Sequence, residues 1–110
     1  MNITIVPSKV FIRKAKLLAK KHRTLISDLK KLEEELKDNP DIGIDLGNGL
    51  RKVRMSITAK GKGKSGGARV ITYTAIASVE DKRITLLTIY DKSEQSTISD
   101  QELRQLIAEL

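Results

Sequence analysis

The chain has 110 residues, of which 32% are charged, and it contains no cysteine. That length fits one domain with one modest core, spanning residues 1–110, and the missing thiols exclude both a disulfide framework and thiolate metal ligation. The formal net charge of +7 is matched by seven cations in one acid-free stretch, Leu46 to Val79, so the excess is a local patch suited to phosphates or an acidic partner.

In chain order, Asn2 to Val6 (NITIV) is rich in β-branched residues and predicts a short first strand. Pro7 and Ser8 follow as a helix entry and cap. Phe11, Ala15 and Leu18 then recur at helical spacing, with Lys14, Lys16, Lys20 and Lys21 on the other faces. A second helix is predicted from about Thr24 to Lys37 on the stripe Leu25, Leu29, Leu32 and Leu36. The two helices form a hairpin joined near His22–Thr24, and Asn39-Pro40 ends it. Asp41 to Gly49 (DIGIDLGNG) is dense in turn residues and predicts an ordered loop.

Strands follow. In Arg51–Thr58, Val53, Met55 and Ile57 share one side, while Lys52, Arg54, Ser56 and Thr58 share the other. Lys52 and Arg54 then sit on one open face, about 7 Å apart. Ala59 to Gly67 (AKGKGKSGG) is a cationic, flexible connection. Strands at about Ala68–Ser78 and Ile84–Tyr90 complete a meander that turns at Glu80-Asp81-Lys82. The last of them is apolar on both sides, as a central strand is. Ser99-Asp100-Gln101-Glu102 is a capping box for a final helix whose stripe is Leu103, Leu106, Ile107 and Leu110. The order β-αα-βββ-α predicts an α+β fold: an N-terminal strand and helical hairpin packed on a small twisted antiparallel sheet, with a C-terminal helix.

No apolar run of about eighteen residues occurs, and the N-terminus lacks a signal-peptide layout, so a cytoplasmic protein with no membrane partner is expected. Three aromatics (Phe11, Tyr73 and Tyr90) are too few for the stacking platforms of single-stranded RNA readers. Gly63-Lys64-Ser65 superficially resembles a P-loop, but it joins two strands and lacks the first glycine, which rejects nucleotide hydrolysis. With neither Cys nor paired His, no metal site is expected.

From Asn39 to Glu94 the motifs NP, IG, LGNGLRKVR, KGKGKSGGARVI and LLTIYDKSE occur in an order and spacing that resemble the RelE/ParE superfamily of toxins from type II toxin–antitoxin modules. The similarity is greatest to the RelE and HigB-like branch. The resemblance implies a RelE-like fold and a ribosome-dependent endoribonuclease cutting mRNA in the ribosomal A site, with no metal or small-molecule cofactor. It also implies a cognate antitoxin, which would cover the basic face or displace the last helix. Matched position by position, it implies catalytic roles for Lys52, Arg54, Arg69 and Lys92. Arg51, Lys60, Lys62, Lys64, Tyr73 and Tyr90 are expected to bind RNA. Two positions depart from the RelE pattern: Gln95 stands near an expected arginine and Ser99 near an expected tyrosine, leaving general acid and base unassigned.

Cleavage through a 2′-hydroxyl needs a base, an acid for the departing 5′-oxygen, and cations for the crowded phosphorane. Arginine suits the last role through its planar, permanently charged fork. A lysine is a base only when neutral, a form that neighbouring cations favour. This logic assigns Arg54 and Arg69 to the phosphate and Lys52 to proton transfer. Blander readings stand beside it. A basic strand also blunts a sheet edge; Tyr90 ending a central strand fits packing better than stacking; and His22 fits a helix-end cation. Two rival functions remain: a ParE-like inhibitor of DNA gyrase, and a non-enzymatic RNA- or ribosome-binding module.

Overall fold

The computed structural model describes residues 2–110. Strand β1 (Asn2–Pro7) leads into helices α1 (Lys9–Lys21) and α2 (Leu25–Asp38). Strands β2 (Ile44–Gly47), β3 (Leu50–Met55), β4 (Ala68–Ile76) and β5 (Asp81–Asp91) follow, and α3 (Asp100–Ala108) closes the chain. The five strands form one sheet in the order β1-β5-β4-β3-β2. The fold is α+β as expected, with every strand pair antiparallel except β1 with β5, which is parallel. Parallel pairing follows from the connectivity: the chain leaves β1, crosses the sheet as the helical hairpin, and re-enters at the opposite edge as β2.

Local chemistry accounts for the boundaries. Ser8 caps α1 by accepting from the Phe11 N–H, and its hydroxyl donates to the Leu87 carbonyl, which ties the helix start to β5. Ser99 caps α3 by accepting from the Glu102 N–H. Between Asp41 and Gly49 the expected loop is instead a hairpin. Asn48 and Gly49 both take positive φ (53° and 81°), the signature of a two-residue turn whose twist matches its strands, and Gly47 pairs with Leu50 across it. At the other end, β3 stops at Met55, short of the expected Thr58, and a 3-10 turn at Thr58–Lys60 follows. Asp81 and Lys82 lie within β5 and not at the β4–β5 turn.

Two apolar cores flank the sheet. The larger joins Phe11, Leu18, Leu25, Leu32 and Leu36 of the hairpin to Val53, Val70, Ile84 and Ile89. The smaller joins Leu103 of α3 to Leu50, Ile71 and Leu87. Burial on both sides explains the continuous apolar run of β5. Leu110, expected in the buried stripe of the last helix, lies beyond the helix end and is exposed. No helix among the described residues is long and apolar enough to cross a membrane.

Candidate active site

Strand alternation decides which cations meet. Leu50 faces α3, so Lys52 and Arg54 share that face; Ile71 does the same for Arg69 on β4. Arg54 stands directly opposite Arg69, and Arg69 opposite Tyr90, making one row across β3, β4 and β5. Directly opposed residues hold their Cβ atoms about 5 Å apart. Lys52 lies one step along, opposite Ile71.

Tyr90 reaches this row through a β-bulge. Ile71 pairs with Thr88 and Thr72 with Leu86, leaving Leu87 without a partner on β4. The extra residue reverses the alternation beyond it. It turns Tyr90 towards Arg69 and sends Asp91 to the hairpin face.

Arg69 is buried, at 7% exposure. Its guanidinium donates to the carbonyls of Lys64 (3.0 Å), Ala68 (3.2 Å) and Ser65 (3.3 Å). Arg54 is exposed and Lys52 half-buried. Lys92 extends β5 by one bond, its N–H donating to the Gly67 carbonyl, and its Nζ donates to the Ser96 carbonyl at 2.7 Å. Among the described residues, Lys52, Arg54, Arg69 and Lys92 have no carboxylate within 4 Å. The field of these cations is therefore left for a ligand.

The Tyr90 side chain is buried, and its hydroxyl has no hydrogen-bond partner among the described residues. Burial pushes this phenol up from its ordinary range; the Arg69 guanidinium opposes the shift and Glu102 adds to it. Tyr90 is thus a neutral hydroxyl at physiological pH. Beside it, between α1 and α3, lies a cleft of about 470 Å³ whose lining includes Arg13, Lys14, Gln95 and Ser99. Both positions that depart from the RelE pattern therefore open onto the same cleft.

The remaining expected residues divide. Lys62 is exposed on the connection after β3, and Lys64 beside it lies 3.8 Å from Glu35, both side chains about half exposed. Arg51 falls on the opposite face of the sheet and donates to the Gly43 carbonyl, so it does not join the row. Tyr73 shares the face of Arg69 but packs with Leu50 and the α3 cluster, four residues along β4, or about 13 Å away. Lys60 turns inward: its Nζ lies 2.7 Å from the buried Asp91 carboxylate, with its own side chain only 12% exposed. Its ammonium is thus engaged within the protein.

Sequence reasoning did not single out Asp91. It accepts from Lys60, from the Ser93 N–H and hydroxyl, and faces His22 Nε2 at 3.2 Å. Burial alone would raise its pKa, but Lys60 and Ser93 outweigh that and hold the carboxyl well below the usual carboxylate range. Asp28, also buried, accepts from Thr24, from the Thr58 N–H and from the Thr58 hydroxyl, pinning the 3-10 turn to α2. Part of each network is local, through Thr24 and Ser93, but the partners that fix its role, Thr58 for Asp28 and Lys60 with His22 for Asp91, are distant in sequence.

The family model described as the RelE toxin of the RelE / RelB toxin–antitoxin system matches residues 5–109. With a match over nearly the whole chain, and an α+β architecture that agrees with it, this protein belongs to the RelE toxin family, the toxins of toxin–antitoxin modules whose cognate partner is an antitoxin.

Proposed function

We propose that this toxin is a ribosome-dependent mRNA endoribonuclease acting through the Arg54–Arg69 row. The observation that carries the reading is charge bookkeeping on the sheet. Among the described residues the four cations expected to act have no carboxylate within 4 Å, whereas Lys60, in the same basic stretch, is paired with Asp91. A phosphodiester laid across β3 and β4 would meet two guanidinium groups at neighbouring positions. Arg69 enters pre-oriented by the three carbonyls it donates to, and such preorganised charge is the largest usual source of transition-state stabilisation.

In the reaction, the 2′-oxygen of the preceding ribose attacks phosphorus as its proton passes to Lys52. The 5′-oxygen of the next nucleotide leaves and takes up a proton, giving a 2′,3′-cyclic phosphate and a 5′-hydroxyl. Lys92, which follows β5 on the other side of Arg69 from Lys52, is assigned to that proton; the Tyr90 hydroxyl opposite Arg69 is buried. Separate Lys52→Ala, Arg54→Ala and Arg69→Ala variants, assayed for cleavage of mRNA on programmed ribosomes, test these roles. Each is expected to lose about tenfold or more in rate. Full activity in all three would remove the assignment.

A further inference from the structure

The connection between β3 and β4 carries Gly61, Gly63, Gly66 and Gly67, a composition that leaves its backbone free to move. Yet Arg69 depends on it, because the Lys64 and Ser65 carbonyls hold the guanidinium. They can aim it only if the connection is itself fixed. Its start is anchored by Asp28 on Thr58 and by Thr24 Oγ1 accepting from the Ala59 N–H. Its end is anchored by the Lys92 N–H on the Gly67 carbonyl. Between these ends the buried anchor is Lys60, whose Nζ meets Asp91 at 2.7 Å and Ser93 Oγ at 3.3 Å. Asp91 in turn binds the corner of the helical hairpin through His22. Desolvation offsets most of what a buried ion pair gains in attraction, so its main product here is a fixed geometry.

We infer that Lys60 and Asp91 are a positioning pair for the cleavage reaction. They hold residues 58–67 so that the Lys64 and Ser65 carbonyls direct Arg69 at the scissile phosphate. The inference rests on the nuclease function proposed above, and it gives Lys60 to the protein and leaves Lys62 to the RNA.

Two readouts on the full chain separate the possibilities. Hydrogen exchange of the amides from 61 to 69 reports the order of the connection and needs no catalysis. Cleavage on programmed ribosomes, with maximal rate and half-saturating concentration measured separately, reports the chemistry. Lys60→Met and Asp91→Asn are expected to speed exchange there roughly tenfold while β5 stays protected. They are expected to lower the maximal rate about tenfold or more with little change in half-saturation. Lys60→Arg, which keeps the charge, restores part of both. Lys62→Ala does the reverse, weakening half-saturation with the maximal rate kept. Should Asp91→Asn fail to fold, Lys60→Met carries the test, since it leaves Asp91 with His22 and Ser93. Unchanged exchange in Lys60→Met, or a loss confined to half-saturation, would overturn the inference. A wild-type protein that binds ribosomes without cutting would instead sink the nuclease reading, and exchange alone would then judge the clamp.

Discussion

Arg69 is charged, buried and unpaired with any carboxylate among the described residues, a costly state unless the guanidinium is fully hydrogen-bonded or awaits an anion. Carbonyls satisfy part of its donor fork and leave its charge in place. Arg69→Lys keeps the charge but loses the planar fork, so it is expected to cut about tenfold more slowly, and Arg69→Ala about a hundredfold. Single-turnover cleavage measures both, and equal losses in the two variants would show that geometry, not charge, is what matters. Tyr90 makes the opposite case. A buried hydroxyl without a partner lowers stability, so Tyr90→Phe is expected to be about 1 kcal/mol more stable. Urea unfolding decides it; a less stable variant would mean that the hydroxyl has a partner in solution. For Asp91 the sign follows from its depressed pKa. A carboxyl held low in the folded state stabilises the protein above the ordinary carboxylate pKa, near 4, and that contribution fades as the pH falls below it. Asp91→Asn should therefore flatten the acid limb of stability against pH, while costing about 3 kcal/mol at neutral pH by leaving Lys60 unpaired.

At the scale of elements, Gly67 sets how closely β3 and β4 approach beside the site. A Cβ there would lie 2.1 Å from the Met55 carbonyl oxygen, a backbone atom that cannot yield without moving the strand. Gly67→Ala is expected to destabilise the protein by about 2 kcal/mol and to move the row, losing activity beyond the loss of stability. Thermal unfolding beside the cleavage assay checks both parts. Most elements were legible because their signals are local: Leu25, Leu32 and Leu36 at helical spacing, Ser8 and Ser99 as caps, and Val53 with Met55 alternating against Lys52 and Arg54. The β2–β3 hairpin was readable too, since Asn48-Gly49 is a strong hairpin signal, but the surrounding Gly and Asp residues suggested a loop. The bulge at Leu87 was not readable. In ITLLTIY either side of the strand is apolar, so nothing local says where the alternation slips. That slip alone exchanges Tyr90 for Asp91 on the Arg69 face. The Lys60–Asp91 pair was not readable for the same reason, because the two lie 31 residues apart and the facing of Asp91 depends on the bulge.

Across the whole molecule, helices cover one side of the sheet, and α3 covers only part of the other. The cationic row lies on that second side, where the Leu50–Ile71–Leu87 core under α3 ends. Lys52, Arg54 and Arg69, the cations of the basic stretch that share this face, thus lie on the side that the helices leave largely open. Binding to RNA should weaken with salt, with a slope of roughly −0.7 per phosphate neutralised on a single strand. The most direct test of the account is primer extension on mRNA incubated with this protein, with and without ribosomes, beside Arg69→Ala. The account predicts cuts that appear only on ribosome-bound mRNA and vanish in the variant. Equal cutting by Arg69→Ala, or no cutting by a wild-type protein that binds programmed ribosomes, would contradict it.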